Sequence, residues 1–375
     1  MLVINGSIAW SDILPDDALG YALPDFHPRA LSRFLTIAGR PAPKLLPENI
    51  EKSLLVSQIP LAHAGASYLL RPQNLRKCVD QFVTQVEGLL EMLSQYQKTY
   101  ITGAMTLAQC QPAKYSRECL ERLNVGKKII LDREGFATKS TYSLSDSKTG
   151  RMTVVAGPQI LTCSRDVKKC IRSRFTGGSI VEIDFSALEP RTALAVIGSP
   201  LATSPDIYAE VAQLFSPALS RDIAKQVTIS FLYGAAKNTI RHLVGAVDQI
   251  DEPLNNLRQM FGFDAIVDRG IAEIREQGFF RNHAGRPIFP QSSKRGLIFN
   301  NFCQSTAVDV ALSGFSRLLN YIAEKECSAV PLYFIHDALI LDVPPDEVEL
   351  IQGEGKLLQT YLGINFPTKI KILHN

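Results

Sequence analysis

Ile180-Val-Glu-Ile-Asp184-Phe185 is a short apolar run that carries one acid near its end. Far downstream, Leu332-Tyr-Phe-Ile335-His336-Asp337-Ala338-Leu339-Ile-Leu-Asp-Val343 reads as two apolar strands meeting at His336-Asp337, a tight hairpin. A helix is expected from Leu188, immediately after the first run, and another over Ala307–Glu324, before the hairpin. If the strands are neighbours in one antiparallel sheet, Asp184 and Asp337 converge. A carboxylate at the tip of a buried strand is costly unless it is paired, hydrogen-bonded or bound to a cation. Two such acids together could hold two Mg²⁺ ions, which activate an attacking hydroxyl and stabilise a leaving pyrophosphate. Either acid alone fits an exposed turn as well.

Between these stretches, Ser216-Pro217 offers a helix start, with the helix running to about Ala236. Arg221, Lys225, Ile229 and Tyr233 stand four residues apart along it, and Gly234 follows. Each step drifts only about 40° round a 3.6-residue helix, so they form one slowly winding stripe. Arg and Lys one turn apart suit a triphosphate, and the aromatic suits a base. An exposed helix carries Arg and Lys at this spacing often enough that the stripe alone does not decide.

Elsewhere the pattern is plainer. Residues 1–70 are Pro-rich and weakly periodic, an irregular cap with short helices such as Pro28–Ala38. Val79, Phe82, Val83, Val86, Leu89, Leu90 and Leu93 mark a long amphipathic helix. Lys127–Leu131 and Lys139–Leu144 are expected as strands of a basic hairpin. The D-x-E of Asp132-Arg-Glu134, which superficially fits the opening of a 3′–5′ exonuclease, is assigned to a turn there.

At 375 residues the chain suits two or three domains. With 46% hydrophobic and 21% charged residues and a mean hydropathy of +0.03, disorder, fibrous repeats and a mainly membrane-embedded chain are excluded. The net charge of +3 hides segregation. Residues 121–175 carry 12 basic and five acidic residues, while 337–355 carry six acids and no Lys or Arg. The seven cysteines form no C-x-x-C pair, which argues against a disulfide framework or zinc site and for a reducing, cytoplasmic setting. The N-terminus lacks a basic n-region, so no signal peptide is expected.

Taken in order, the motifs resemble those of family A DNA polymerases, the group related to bacterial DNA polymerase I. Asp184-Phe-Ser-Ala-Leu-Glu189-Pro-Arg191 is similar to D-Y-S-Q-I-E-L-R. Arg221-xxx-Lys225 with Tyr233-Gly234 is similar to R-xxx-K-xxx-[FY]-xxx-Y-G, and Ile335-His336-Asp337-Ala338 to V-H-D-E. Secondary matches are Ser140-Thr141-Tyr142, Thr149-Gly150-Arg151, Lys169–Phe175, Gly285-Arg286–Pro290 and Gln304-Ser-Thr306-Ala307-Val-Asp309.

The resemblance implies an α+β right hand: antiparallel palm sheet (151–200 and 276–375), mainly helical fingers (201–275) and thumb (71–150), with the 1–70 cap unassigned. It implies a DNA-directed DNA polymerase, a nucleotidyltransferase of DNA replication that adds dNTPs to a primer 3′-hydroxyl. Asp184, Asp337 and the Phe185 carbonyl are the implied ligands of two Mg²⁺ ions, with Mn²⁺ able to substitute. Arg221 and Lys225 grip the triphosphate, with Lys225 also a proton donor. Ile229 and Tyr233 line the nucleotide site, with Tyr233 also reaching the template, and Glu189 is the gate against a 2′-hydroxyl. Arg151, Arg172, Gln304, His336 and Arg286 meet primer–template DNA. Ile229 departs from the family's Phe or Tyr, and Ala338 from its Glu. No intrinsic proofreading is expected, so a separate exonuclease or other replication proteins would be partners. A single-subunit RNA polymerase and a non-catalytic DNA-binding accessory are the rivals; Glu189 argues against the first.

Overall fold

The computed structural model describes residues 94–125, 129–245 and 250–374, with short pieces at 2–4, 7–9, 52–53 and 56–57. The chain divides into two compact units, Met1–Ala108 and Gln109–Asn375. In the first, Leu2–Ile4 pairs antiparallel with Ser7–Ala9, and Gln95–Ala108 is helical. The helix expected at Pro28–Ala38 and the amphipathic pattern from Val79 to Leu93 lie outside the described residues.

The second unit is built on five antiparallel strands: β1 (Ser179–Phe185), β2 (Val330–Ile335), β3 (Ala338–Val343), β4 (Leu357–Gln359) and β5 (Asn365–His374). Their order is β2-β3-β1-β5-β4, so the two stretches that carry Asp184 and Asp337 are neighbours. Around them lie α1 (Leu188–Val196), α2 (Ile207–Ala212), α3 (Arg221–Leu232) and α4 (Arg295–Glu324). Mixed helix and strand is thus the observed class.

Strand alternation sorts β1 into two faces. Val181, Ile183 and Phe185 face the core, where the Phe185 ring meets Phe315 at 5.1 Å and Phe366 at 6.4 Å. Gly314 on α4 lets that helix approach, since a Cβ there would lie 2.8 Å from the Phe185 ring. Ile180 packs on the other face with Leu332, Tyr333, Ile340 and Val167. Glu182 and Asp184 follow on that second face, toward its open end.

Several expectations shift. Helix α4 begins 12 residues before Ala307, because Ile298, Phe299, Phe302 and Cys303 are buried at helical spacing although Asn300 and Asn301 are weak helix formers. Helix α3 starts at Arg221, where the Ser220 side chain accepts from Ile223 N, rather than at Pro217. Of the hairpin expected over 125–145, residues 126–128 lie outside the described residues, and the described part pairs differently. Asp132 Oδ1 accepts from Glu134 N and Phe136 N, which closes a tight turn at Gly135, and Leu131 bridges Ala137. Thr141–Ser143 instead pairs with Thr153–Ala156. Asp132 and Glu134 are therefore turn residues.

The expectation of unbridged cysteines is corrected by a disulfide between Cys119 and Cys170. Residues 51 apart are brought to a 5.3 Å Cα separation because Ser116 N donates to Cys170 O, docking the helix Arg117–Arg122 on the turn Arg165–Cys170. Spacing in the sequence carries no trace of this. Among the described residues, no helix is long and apolar enough to cross a membrane.

Candidate active site

Strand β1 and the β2–β3 turn deliver the two acids to adjacent places. Ala338 is the register partner of Asp184, and Phe185 N donates to Asp337 O at 3.0 Å. The turn holds His336 at φ +54°, and the exit from β1 holds Ala187 at φ +53°. Left-handed backbone at a residue with a Cβ costs on the order of 1 kcal/mol. Two of the four such residues among those described flank these carboxylates, so the local chain is held against its own preference.

Both acids open into a cavity of about 520 Å³. One wall is α3. Its Ala224, Val227, Thr228, Phe231 and Leu232 are buried, which turns Lys225, Ile229 and Tyr233 toward the opening. Phe231 packs among Phe261, Phe263 and Phe299, so it does not substitute for an aromatic at Ile229. Gly234 closes the helix at φ +73° in contact with the Gly296 backbone, where a Cβ would lie 2.8 Å away. Glu189 on α1, Arg151, Gln304 and His336 complete the surroundings.

At the rim, Arg151 Nη2 donates to Tyr233 Oη at 3.4 Å and lies 3.6 Å from Glu189 Oε1, while Tyr233 Oη donates to Glu189 at 3.4 Å. Burial raises the Glu189 carboxyl and Arg151 opposes the rise. Gln304 is oriented by Thr149 Oγ1, which donates to its Oε1 at 2.8 Å. Burial and the nearby Arg151 charge lower the His336 imidazole.

Asp184 and Asp337 receive no hydrogen bond or ion pair from another side chain among the described residues. Burial first, then the Asp337 and Glu182 charges, push the Asp184 carboxyl up to about 6. Burial also raises Asp337. Two bare, half-buried carboxylates side by side are the hard oxygen donors that a divalent cation takes, and cation binding relieves their repulsion. Among the described residues no group of three or more His, Cys, Asp or Glu that could hold a metal ion forms, so the side-chain donors here are two carboxylates; Phe185, expected to add its carbonyl, lines the same cavity. Carboxylate oxygens of this kind could hold a hard divalent cation such as Mg²⁺, with water completing its shell.

Three expected site residues are not brought to the cavity. Arg221, in the first turn of α3, bonds Asp206 at 2.5 Å and lies over the Tyr208 ring. Asp206 caps α2 with its other oxygen, so Arg221 ties α2 to α3. Arg172 donates to the Lys169 and Ile171 carbonyls. Arg286, expected on DNA, is 4% exposed and donates to Asp309 Oδ1 at 2.7 Å beneath Gly150. Its neighbour Asn282 donates to the same carboxylate, which makes this an internal clasp rather than a surface contact.

Conversely, Tyr208 and Lys369 line the cavity and were not anticipated. Lys369 is the register partner of Asp184 on β5. The alternation Thr368-Lys369-Ile370-Lys371-Ile372 was the available signal for a half-exposed strand. Tyr208 carries no signal of its own.

No protein-family model matches the chain. DNA polymerase I of Bacillus subtilis (strain 168) is 22% identical over 185 residues, 45% of this chain and 20% of that protein. A solved structure described as the POL domain of Pol1 from M. smegmatis, in complex with DNA primer-template and dNTP, superposes with a TM-score of 0.51 at 13% identity. That match covers 86% of this chain and 54% of the other. The chain therefore shares the fold of that polymerase domain, and a stretch of its sequence is weakly similar to DNA polymerase I. It spans about a fifth of the curated relative and about half of the solved chain, so the polymerase-like module is what the comparisons share.

Proposed function

We propose that the chain is a template-directed DNA polymerase that extends a primer 3′-hydroxyl with dNTPs. The observation that carries this reading is the meeting of Asp184 and Asp337 at one cavity, faced by Lys225, Ile229 and Tyr233 from α3. In this reading the five-stranded sheet is the palm of a right hand and the helices of 201–275 are its fingers. Asp184 and Asp337 hold two Mg²⁺ ions, which when bound supply charge neutralisation at the reacting phosphate and activation of the 3′-hydroxyl.

The chain's own residues do the rest. Lys225 grips the triphosphate and donates a proton toward the leaving pyrophosphate. Arg221 joins it only by exchanging Asp206 for phosphate. Glu189, held by Arg151 and Tyr233, crowds the sugar's 2′ position. Gln304, His336 and Arg151 read minor-groove acceptors common to all base pairs, so they sense pair shape rather than sequence.

Primer extension with dNTPs and NTPs in parallel tests the reading. Wild-type chain should extend with dNTPs and Mg²⁺, and Asp184→Ala or Asp337→Asn should abolish extension while primer–template affinity stays within about threefold. A clear NTP preference would replace the reading with an RNA polymerase. Extension untouched by either substitution would remove the two carboxylates from the chemistry.

A further inference from the structure

Three lysines surround the open end of β1. Lys168 Nζ lies 2.5 Å from Glu182 Oε2, and Lys371 Nζ lies 3.6 Å from Glu182 Oε1, so both are committed to that acid. Lys369 is different. It is exposed, lines the cavity and sits directly across from Asp184, yet has no ion pair or hydrogen bond among the described residues. Register partners on one face have Cβ atoms about 5 Å apart, so its stem stands beside Asp184 while its ammonium remains uncommitted.

The row across the sheet is Lys369–Asp184–Ala338. Ala338 adds no metal donor to this row, and the Lys369 ammonium, which lines the cavity without a carboxylate partner, is left to an anion. The cavity thus presents two lysines from different elements: Lys225 from α3 and Lys369 from β5. The helix wall is occupied, in the function proposed above, by the nucleotide triphosphate. We propose that Lys369 binds the backbone phosphate at the 3′ end of the primer and so positions the terminal hydroxyl beside Asp184.

This inference rests on the polymerase reading for the identity of the anion, but its test separates the two. Equilibrium binding of a fluorescent primer–template is measured against salt, and steady-state extension against primer–template and dNTP separately. Lys369→Ala should weaken primer–template binding about five- to tenfold at low salt and reduce the slope of log K against log salt by about 1, the signature of one lost phosphate contact. Lys369→Arg should restore most of both. In extension, the KM for primer–template should rise and that for dNTP should not.

Unchanged binding and slope in Lys369→Ala would overturn the proposal. So would a rise confined to the KM for dNTP, which would move the lysine to the triphosphate. If the wild-type chain binds primer–template without extending it, the polymerase reading fails, while the binding arm still decides whether Lys369 holds a phosphate.

Discussion

Asp309 and Asp342 are buried as deeply as any side chain in the second unit, and Asp184 and Asp337 only partly, yet the deeper pair is the comfortable one. Asp342 accepts from Ser173 Oγ, Arg174 N and Arg174 Nε. Asp309 accepts from Asn282 Nδ2 and Arg286 Nη2. Asp184 and Asp337 have no side-chain donor, Asp337 accepting only from its own backbone, and burial raises both. The fold clearly can surround a carboxylate with donors. That it does so for two aspartates and leaves two adjacent ones without a side-chain donor separates acids that hold the structure from acids open to another partner, a divalent cation in the function proposed above.

The largest effect should come from breaking a satisfied pair. Asp309→Ala leaves the Arg286 guanidinium buried beneath Gly150 without its carboxylate, and removing one partner of a buried pair costs about 3–5 kcal/mol. Denaturant unfolding checks this; a loss below about 1 kcal/mol would mean that Arg286 finds another acceptor.

The bare pair should respond with the opposite sign. An acid whose folded value is raised binds its proton more tightly when folded, so stability falls as pH rises from about 4 to about 6, the ordinary and raised values of Asp184. After allowance for partial solvent screening the loss is on the order of 2 kcal/mol. Asp184→Asn should therefore raise stability at pH 8 by about that amount and flatten the acid limb of a Tm–pH profile. Mg²⁺ should raise the Tm of the wild-type chain at pH 8 and do so far less for Asp184→Asn, since a ligand bound only to the folded state stabilises it. A wild-type Tm that ignores Mg²⁺ would sink the cation reading of this pair.

The contrast also marks what sequence can carry. Ile180–Phe185 and the Leu332–Val343 hairpin are legible because apolar runs ending in acids have few alternatives, and their pairing follows from the tight turn. Lys225, Ile229 and Tyr233 are legible from four-residue spacing. Arg221 obeys the same spacing but does not line the cavity, because its partner Asp206 caps another helix and no periodicity encodes that capture. Arg286 is buried for a like reason: whether an arginine faces solvent or an aspartate 23 residues on depends on how the strand pair Phe280–Arg281 and Pro287–Ile288 lies on α4. The Cys119–Cys170 bridge belongs to the same class of long-range fact. For Lys369 the alternation Thr368–Ile372 marks a strand, but that this strand lies beside Asp184 follows only from the pairing of β5 with β1.

Glu182 stands between the two classes, and it supplies the smallest test. It shares a strand face with Asp184 but is 5% exposed and held by two lysines of unequal burial. Lys168 is only 21% exposed in its side chain and close, so Lys168→Met should cost about 2 kcal/mol by leaving Glu182 with its weaker partner. Lys371 is 59% exposed and farther away, so Lys371→Met should cost less than about 1 kcal/mol. Both ammoniums also hold the Asp184 carboxyl down, so either substitution should move the acid limb of the Tm–pH profile to higher pH. If neither moves it, Glu182 screens its lysines completely and Asp184 is set by burial and Asp337 alone, which would make the bare pair more isolated than its surroundings suggest.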